Sequence, residues 1–322
     1  MKIGMLYNRR AVASQMYFSG HIGSLFERWF SMHTREQEGL IPVDGYRVWY
    51  RMVGGGGEDE GVPLMILHGG PGAPHNYLSN LAALASDQQR VIFYDQLGCG
   101  RSDKPDDTSL WRVERFVEEL ATVRRELGLD RVHILGQSWG GMLAIEYMLS
   151  QPQGVVSLIL SNTTSSIPMW VAEANRLREQ LPPEVNATLL RHEEAGTTDS
   201  AEYQEAMDVF YKRHVIRVPM PDYAQYTMDN LSQVYFYMNG PSEFHVIGPI
   251  KDWDRTDRLG EINVPTLIIS GRYDESTPAI NEILRRGIAG SEWVVLENSS
   301  HLSNVEEPEL YMETVQAFLK RH

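Results

Sequence analysis

The sequence predicts an α/β fold, a mostly parallel central sheet flanked by helices, on three observations. Short apolar runs alternate with longer helix-patterned segments from Gly45 onward. The runs are rich in β-branched residues and apolar at nearly every position. The alternation breaks once, after Asn162, and resumes at Thr266. Parallel strands need crossover helices between them and are covered on both faces, so these patterns are what such a sheet leaves in a sequence.

The candidate strands are residues 46–53, 64–67, 91–94, 132–135, 156–160, 266–269 and 293–296. The glycines at 54–57, followed by Glu58, Asp59 and Glu60, read as a polar, hairpin-like connection. Residues 164–257 contain no buried-type strand, only helix-like segments such as 172–180, 201–214 and 222–231, with stops at Pro182, Pro183, Pro219 and Pro221. This stretch is expected to form a helical cap over the sheet's active edge, which leaves 40–163 and 258–322 as the core. Residues 1–39 form an N-terminal extension. Ser14, Gln15, Ser19 and His21 interrupt any signal-type apolar core in it, so a secretory signal is not expected. An appended helix, a weak targeting sequence and an over-called start before Met32 all fit that extension.

A chain of 322 residues, 42% hydrophobic and 22% charged, has the make-up of a soluble globular protein with one substantial core and an insertion. The formal net charge of −14 disfavours nucleic acid and anionic lipid surfaces as partners and tolerates a cationic substrate group. No apolar run approaches the roughly 18 residues of a membrane-spanning helix. Cys99 is the single cysteine, so no intrachain disulfide forms and a cytoplasmic location is the expectation. The sequence is silent on oligomeric state.

The chemistry is concentrated after residues 132–135, where Gly136-Gln137-Ser138-Trp139-Gly140-Gly141 leads into a helix start at Met142. Strand, G-x-S-x-G and helix together place Ser138 on a tight turn whose glycines are needed where side chains would collide. A serine hydroxyl is a weak nucleophile and needs a base held by an acid. In α/β-hydrolase order, serine then acid then histidine, the acid follows a late strand and the histidine the last one. Asp274 and His301 occupy those places. Position is what selects His301 among ten histidines, because His133 lies inside a strand and His322 on the tail. An aspartate after a strand also binds turn amides, which is the other use open to Asp274. The oxyanion of acyl transfer needs preorganised N–H donors. Trp139, directly after the nucleophile, offers one, and Gly69 and Gly70 of His68-Gly69-Gly70-Pro71-Gly72 lie where the other is expected. No Gly-Lys-Ser/Thr follows that loop, which disfavours a phosphate site.

His68-Gly69-Gly70-Pro71-Gly72, Asp95-Gln96-Leu97-Gly98-Cys99-Gly100-Arg101-Ser102 and the Ser138 motif together resemble the proline iminopeptidase family. The similarity runs from about Gly45 to Leu319 and includes residues 239–244 and 250–254. The resemblance implies an α/β-hydrolase fold with its cap inserted after the sixth strand. It also implies removal of an N-terminal residue from a small peptide, an amino-acid amide or an arylamide through an acyl-enzyme, with no metal and no cofactor. Carried over from the family, Glu243 and Glu275 bind the substrate's free α-ammonium. Taken on their residues alone, Glu243 reads as a solvated cap carboxylate and Glu275 as a helix N-terminal acid that favours the dipole. An amidase or carboxylesterase would share the triad and differ in the cap. A non-catalytic binding protein on this fold would have a broken triad. Tyr235, Phe236 and Tyr237 precede the Glu243 segment and either contact the first residue's ring or pack in the core.

Overall fold

The computed structural model describes residues 35–322. The sequence-based expectations for residues 1–34 lie outside that range. Among the described residues, eight strands form one sheet: β1 (Glu36–Val43), β2 (Tyr46–Val53), β3 (Leu64–Leu67), β4 (Val91–Tyr94), β5 (Val132–Gln137), β6 (Val155–Ser161), β7 (Thr266–Gly271) and β8 (Glu292–Leu296). Their spatial order is β1-β2-β4-β3-β5-β6-β7-β8. β1 and β2 pair antiparallel and β2 joins β4 antiparallel, while every pairing from β4 to β8 is parallel.

β1 corrects the expectation that the extension runs to residue 39, because its pairing with β2 begins at Glu36. As an edge strand it exposes most of Glu36–Leu40 and carries Gly39 and Pro42, so it lacks the apolar run that marks the buried strands. The turn to β2 uses Asp44 and Gly45, both at positive φ, as a two-residue hairpin of this hand requires.

The core follows from the alternation of side chains along the buried strands. Met65, Leu67, Ile134, Leu158, Leu160 and Ile268 face one layer. Leu64, Ile66, Leu135, Ile159, Leu267 and Ile269 face the other. The first layer is covered by α1 (Val113–Glu126), through Phe116, Leu120 and Val123, and by α2 (Trp139–Leu149). The second is covered by the 3₁₀ segment His75–Leu84 and by the C-terminal helix, through Tyr311, Val315 and Phe318. Burial on both faces is why the strands read as continuous apolar runs.

Between β6 and β7 lie five α-helices: α3 (Ile167–Arg178), α4 (Pro183–Ala195), α5 (Ala201–His214), α6 (Asp222–Asp229) and α7 (Gln233–Met238). The helical insertion therefore follows the sixth strand. It carries its own small core of Leu177, Leu189, Tyr203, Phe210 and Phe244. Pro183 begins α4 at its first turn, where proline's fixed φ suits the helix and its missing N–H costs nothing. After β7 come α8 (Pro278–Gly287), α9 (Ser303–Glu306) and α10 (Pro308–Leu319). No described helix is long and apolar enough to cross a membrane.

Candidate active site

Ser138 sits between β5 and α2 at φ 55°, ψ −126°, a conformation few L-residues adopt. The turn is held by the Ser138 N–H donating to Ser161 O at 3.0 Å. Its tightness explains the flanking glycines: a Cβ at Gly136 would lie 2.2 Å from Gly140 O, and one at Gly140 would lie 2.1 Å from Leu67 O. As the residue capping α2, Ser138 leaves the Trp139 N–H at a helix start, where amides lack intrahelical acceptors.

Asp274 and His301 come from the loops after β7 and β8. His301 Nδ1–H donates to Asp274 Oδ1 at 2.9 Å, and both side chains are buried. The remaining lone pairs of Asp274 are satisfied by Asn162 Nδ2–H at 2.7 Å and by the Ser276 N–H at 2.9 Å. Asn162 also donates to Ser300 O at 3.1 Å, so one side chain at the end of β6 ties the acid loop to the histidine loop. Ser138 and His301 line one cavity with ≈ 550 Å³ of empty volume, together with Gly70 and Glu243.

The Gly70 N–H has no hydrogen-bond acceptor among the described residues, whereas the Gly69 N–H donates to the Tyr77 hydroxyl at 2.7 Å. This corrects the expectation for Gly69: its amide is already engaged and is not a free donor. The same hydroxyl donates to Gln137 Oε1, and Gln137 Nε2–H donates to His301 O at 3.2 Å. Tyr77 and Gln137 thus join the glycine loop, the serine turn and the histidine loop. Nothing in the loose G-x-S-x-G pattern singles out its second position for this role.

Glu243 reaches the cavity from the segment after α7 and accepts from the Tyr235 hydroxyl at 2.8 Å. Burial raises its carboxyl above the ordinary range, against the pull of His301 and of the Tyr235 bond. Glu275 is fully buried beside Asp274 but is not among the residues that line the cavity. Neither of its carboxylate oxygens has a hydrogen-bond partner among the described residues. Burial, then repulsion from Glu243 and Asp274, pushes it well up. Tyr235 is buried, while Phe236 and Tyr237 are exposed, so only the first of the three aromatics faces this cavity.

The model of the alpha/beta hydrolase fold family matches residues 62–308. A proline iminopeptidase from Heyndrickxia coagulans is 45% identical over 285 residues, which span 88% of this chain and 98% of that relative. The chain belongs to the proline iminopeptidase family. Among solved structures, VinJ is 40% identical with a TM-score of 0.85, covering 88% of this chain and 98% of that one. The proline iminopeptidase of Mycobacterium smegmatis is 40% identical with a TM-score of 0.82, covering 89% and 98%.

Within this proline iminopeptidase family member, the Asp95-Gln96 motif braces the site. Asp95 Oδ1 accepts from the His75 N–H at 2.9 Å and from Nδ1–H at 2.8 Å, and Oδ2 accepts from the Arg101 N–H at 2.9 Å. The Gln96 N–H donates to His68 Nε2 at 2.9 Å, while Gln96 Oε1 accepts from the Trp139 indole N–H at 2.9 Å. Gln96, through its backbone N–H and its side chain, so fixes both the glycine loop and the residue after Ser138. His68, Asp95 and Cys99 lie close enough to suggest a metal cluster. Their ligand atoms already hold protein N–H groups or, at Cys99, a thiol that burial pushes well above its ordinary range, so the set does not fit an ion. His133, by contrast with His301, is a satisfied strand histidine: its Nδ1 meets Ser157 Oγ at 2.7 Å, and burial lowers it to about 4.

Burial works against a charged His301, but the Asp274 carboxylate, the bond between them and Glu243 outweigh it and raise the imidazole above its ordinary 6.5. A general base acts in its neutral form, so a raised value moves the acidic limb of the rate profile upward. The kcat/KM for a proline arylamide is therefore expected to fall as pH drops through a midpoint above 6.5. A limb near 4 in a pH–rate series would show that another group is the base.

Proposed function

We propose that this protein is a serine aminopeptidase that releases an N-terminal residue, proline among those accepted, from small peptides, amino-acid amides or arylamides. His301, held by Asp274, takes the proton of Ser138 as the hydroxyl oxygen attacks the scissile carbonyl. The Gly70 and Trp139 amides meet the developing oxyanion, a contribution of about 10²–10³ in turnover per donor. His301 then protonates the departing amine, and water repeats the cycle on the acyl-enzyme.

The observation that carries this reading is a half-buried Glu243 in the cavity of Ser138 and a fully buried Glu275 next to Asp274, with Glu275 lacking any hydrogen-bond partner among the described residues. Buried carboxylates without a counter-charge are costly, and an incoming α-ammonium supplies one. Glu243 contacts that ammonium in the cavity, and Glu275 supports it from behind. A substrate with an acylated amine leaves both unpaired, which is how the site counts one residue from the terminus. A cytosolic location belongs to the same reading.

Paired arylamides test it. The kcat/KM for proline or alanine arylamides with free amines is expected to exceed that for the N-acetyl versions by about 10²-fold or more. Equal rates on free and blocked compounds would remove the aminopeptidase reading and leave a general amidase or esterase.

A further inference from the structure

Two cavities meet at Ser138, and Gly70 and Glu243 border both. The smaller, with ≈ 290 Å³ of empty volume, lies against Trp139, Met142 and Ile250. The larger, with ≈ 550 Å³, includes His301 and Leu302 and is bounded by Met228 and Leu231 at the end of α6. The chemistry decides which half of a substrate enters which. As the bond from Ser138 Oγ to the acyl carbon forms and then the C–N bond breaks, the proton that His301 took from Ser138 passes to the departing nitrogen. The departing half must lie on the imidazole side. The acyl half, with its ammonium at the shared Glu243, lies on the other.

Resting on the aminopeptidase reading, we infer that the larger cavity receives the second residue of the peptide and selects an apolar side chain there. Val215, Ala224, Met228, Leu231 and Leu302 supply apolar wall, and among the described residues no lysine or arginine lines the cavity. Apart from the reacting groups, Ser138, His301 and the Gly70 N–H, its polar groups are engaged. Tyr77 and Gln137 bond each other, Tyr235 bonds Glu243, and Thr227 Oγ1–H donates to Pro74 O at 3.2 Å. A leucine entering here exchanges water for apolar contact. An aspartate would bring a second negative charge beside Glu243 with no cation to meet it. Met228 and Leu231 are half-buried, so their part of the wall tolerates substitution.

The test is kcat/KM for prolinamide, Pro-Gly-NH₂, Pro-Leu-NH₂ and Pro-Asp-NH₂. Prolinamide releases ammonia and places no side chain in the larger cavity, so it reports on the chemistry alone. Pro-Leu-NH₂ is expected to exceed Pro-Gly-NH₂ by at least about tenfold, and Pro-Asp-NH₂ to fall below both. Leu231→Arg is expected to raise the ratio of Pro-Asp-NH₂ to Pro-Leu-NH₂ by about tenfold, a ratio independent of how much of the preparation is folded. Cleavage of prolinamide with a Leu-to-Gly ratio below about threefold, or an unmoved Leu231→Arg ratio, overturns the second-residue pocket and leaves the aminopeptidase standing. No cleavage of any of the four compounds overturns the aminopeptidase, and this inference with it.

Discussion

Ser138→Ala is expected to lower kcat/KM on a proline arylamide by about 10⁴-fold or more while the protein still folds. Among the described residues the serine side chain makes no hydrogen bond that secures the turn; the backbone does, through the Ser138 N–H to Ser161 O and the Gly141 N–H to Ser138 O at 2.8 Å. Alanine keeps those bonds and removes only the attacking oxygen. The amides of Gly70 and Trp139 remain, so some acceleration over water survives, as it does when one member of a triad is lost. His301→Ala should cost about as much as the serine change, and the double variant little more, because the two act as a unit. Additive losses in that cycle would mean that the imidazole works on something other than the hydroxyl.

Glu243→Gln and Glu275→Gln carry the second largest expected effect. Each replacement is close in shape and removes one charge, so kcat/KM on a free-amine substrate should fall by about 10²-fold, while the rate on its N-acetyl counterpart changes by less than about threefold. The preference for the free amine, more than turnover itself, is the quantity to read. If Glu243→Gln leaves that preference intact, the cap glutamate does not hold the ammonium. Glu275→Gln should also stabilise the protein. A carboxyl whose folded value is raised favours the folded state below its unfolded value near 4.5 and withdraws that support as pH climbs toward the folded value. The gain in Tm from Glu275→Gln is accordingly expected to be larger at pH 8 than at pH 5. Activity lost and stability gained in one substitution is the signature of a charge kept for the substrate.

The parallel part of the sheet was legible because burial on both faces writes itself into composition: residues 64–67, 91–94 and 132–135 carry side chains that all enter a core. β1 was not, since an edge strand with Glu36, Glu38, Gly39 and Pro42 meets no such demand. In the cap, Pro182 and Pro183 read as a break, and they lie between α3 and α4, but Pro183 also opens the second of these. That Ser138, Asp274 and His301 come together was legible because strand order sends the loops after β5, β7 and β8 to one place. The engagement of Gly69 by Tyr77 was not, because it joins residues eight positions apart through a hydroxyl that no pattern marks. Asn162 escaped notice for the same reason: its contacts to Asp274 and Ser300 span more than a hundred residues and exist only once β6, β7 and β8 are side by side.

The central claim, a serine made nucleophilic beside an ammonium site, is tested most directly by reacting the protein with a small fluorophosphonate, mapping the adduct by mass spectrometry and measuring the rate of labelling. The account predicts a single adduct on Ser138, formed more slowly in the presence of prolinamide and at an unchanged rate in the presence of N-acetylprolinamide. An adduct on another residue, full turnover by the labelled protein, or equal protection by the two amides would contradict it.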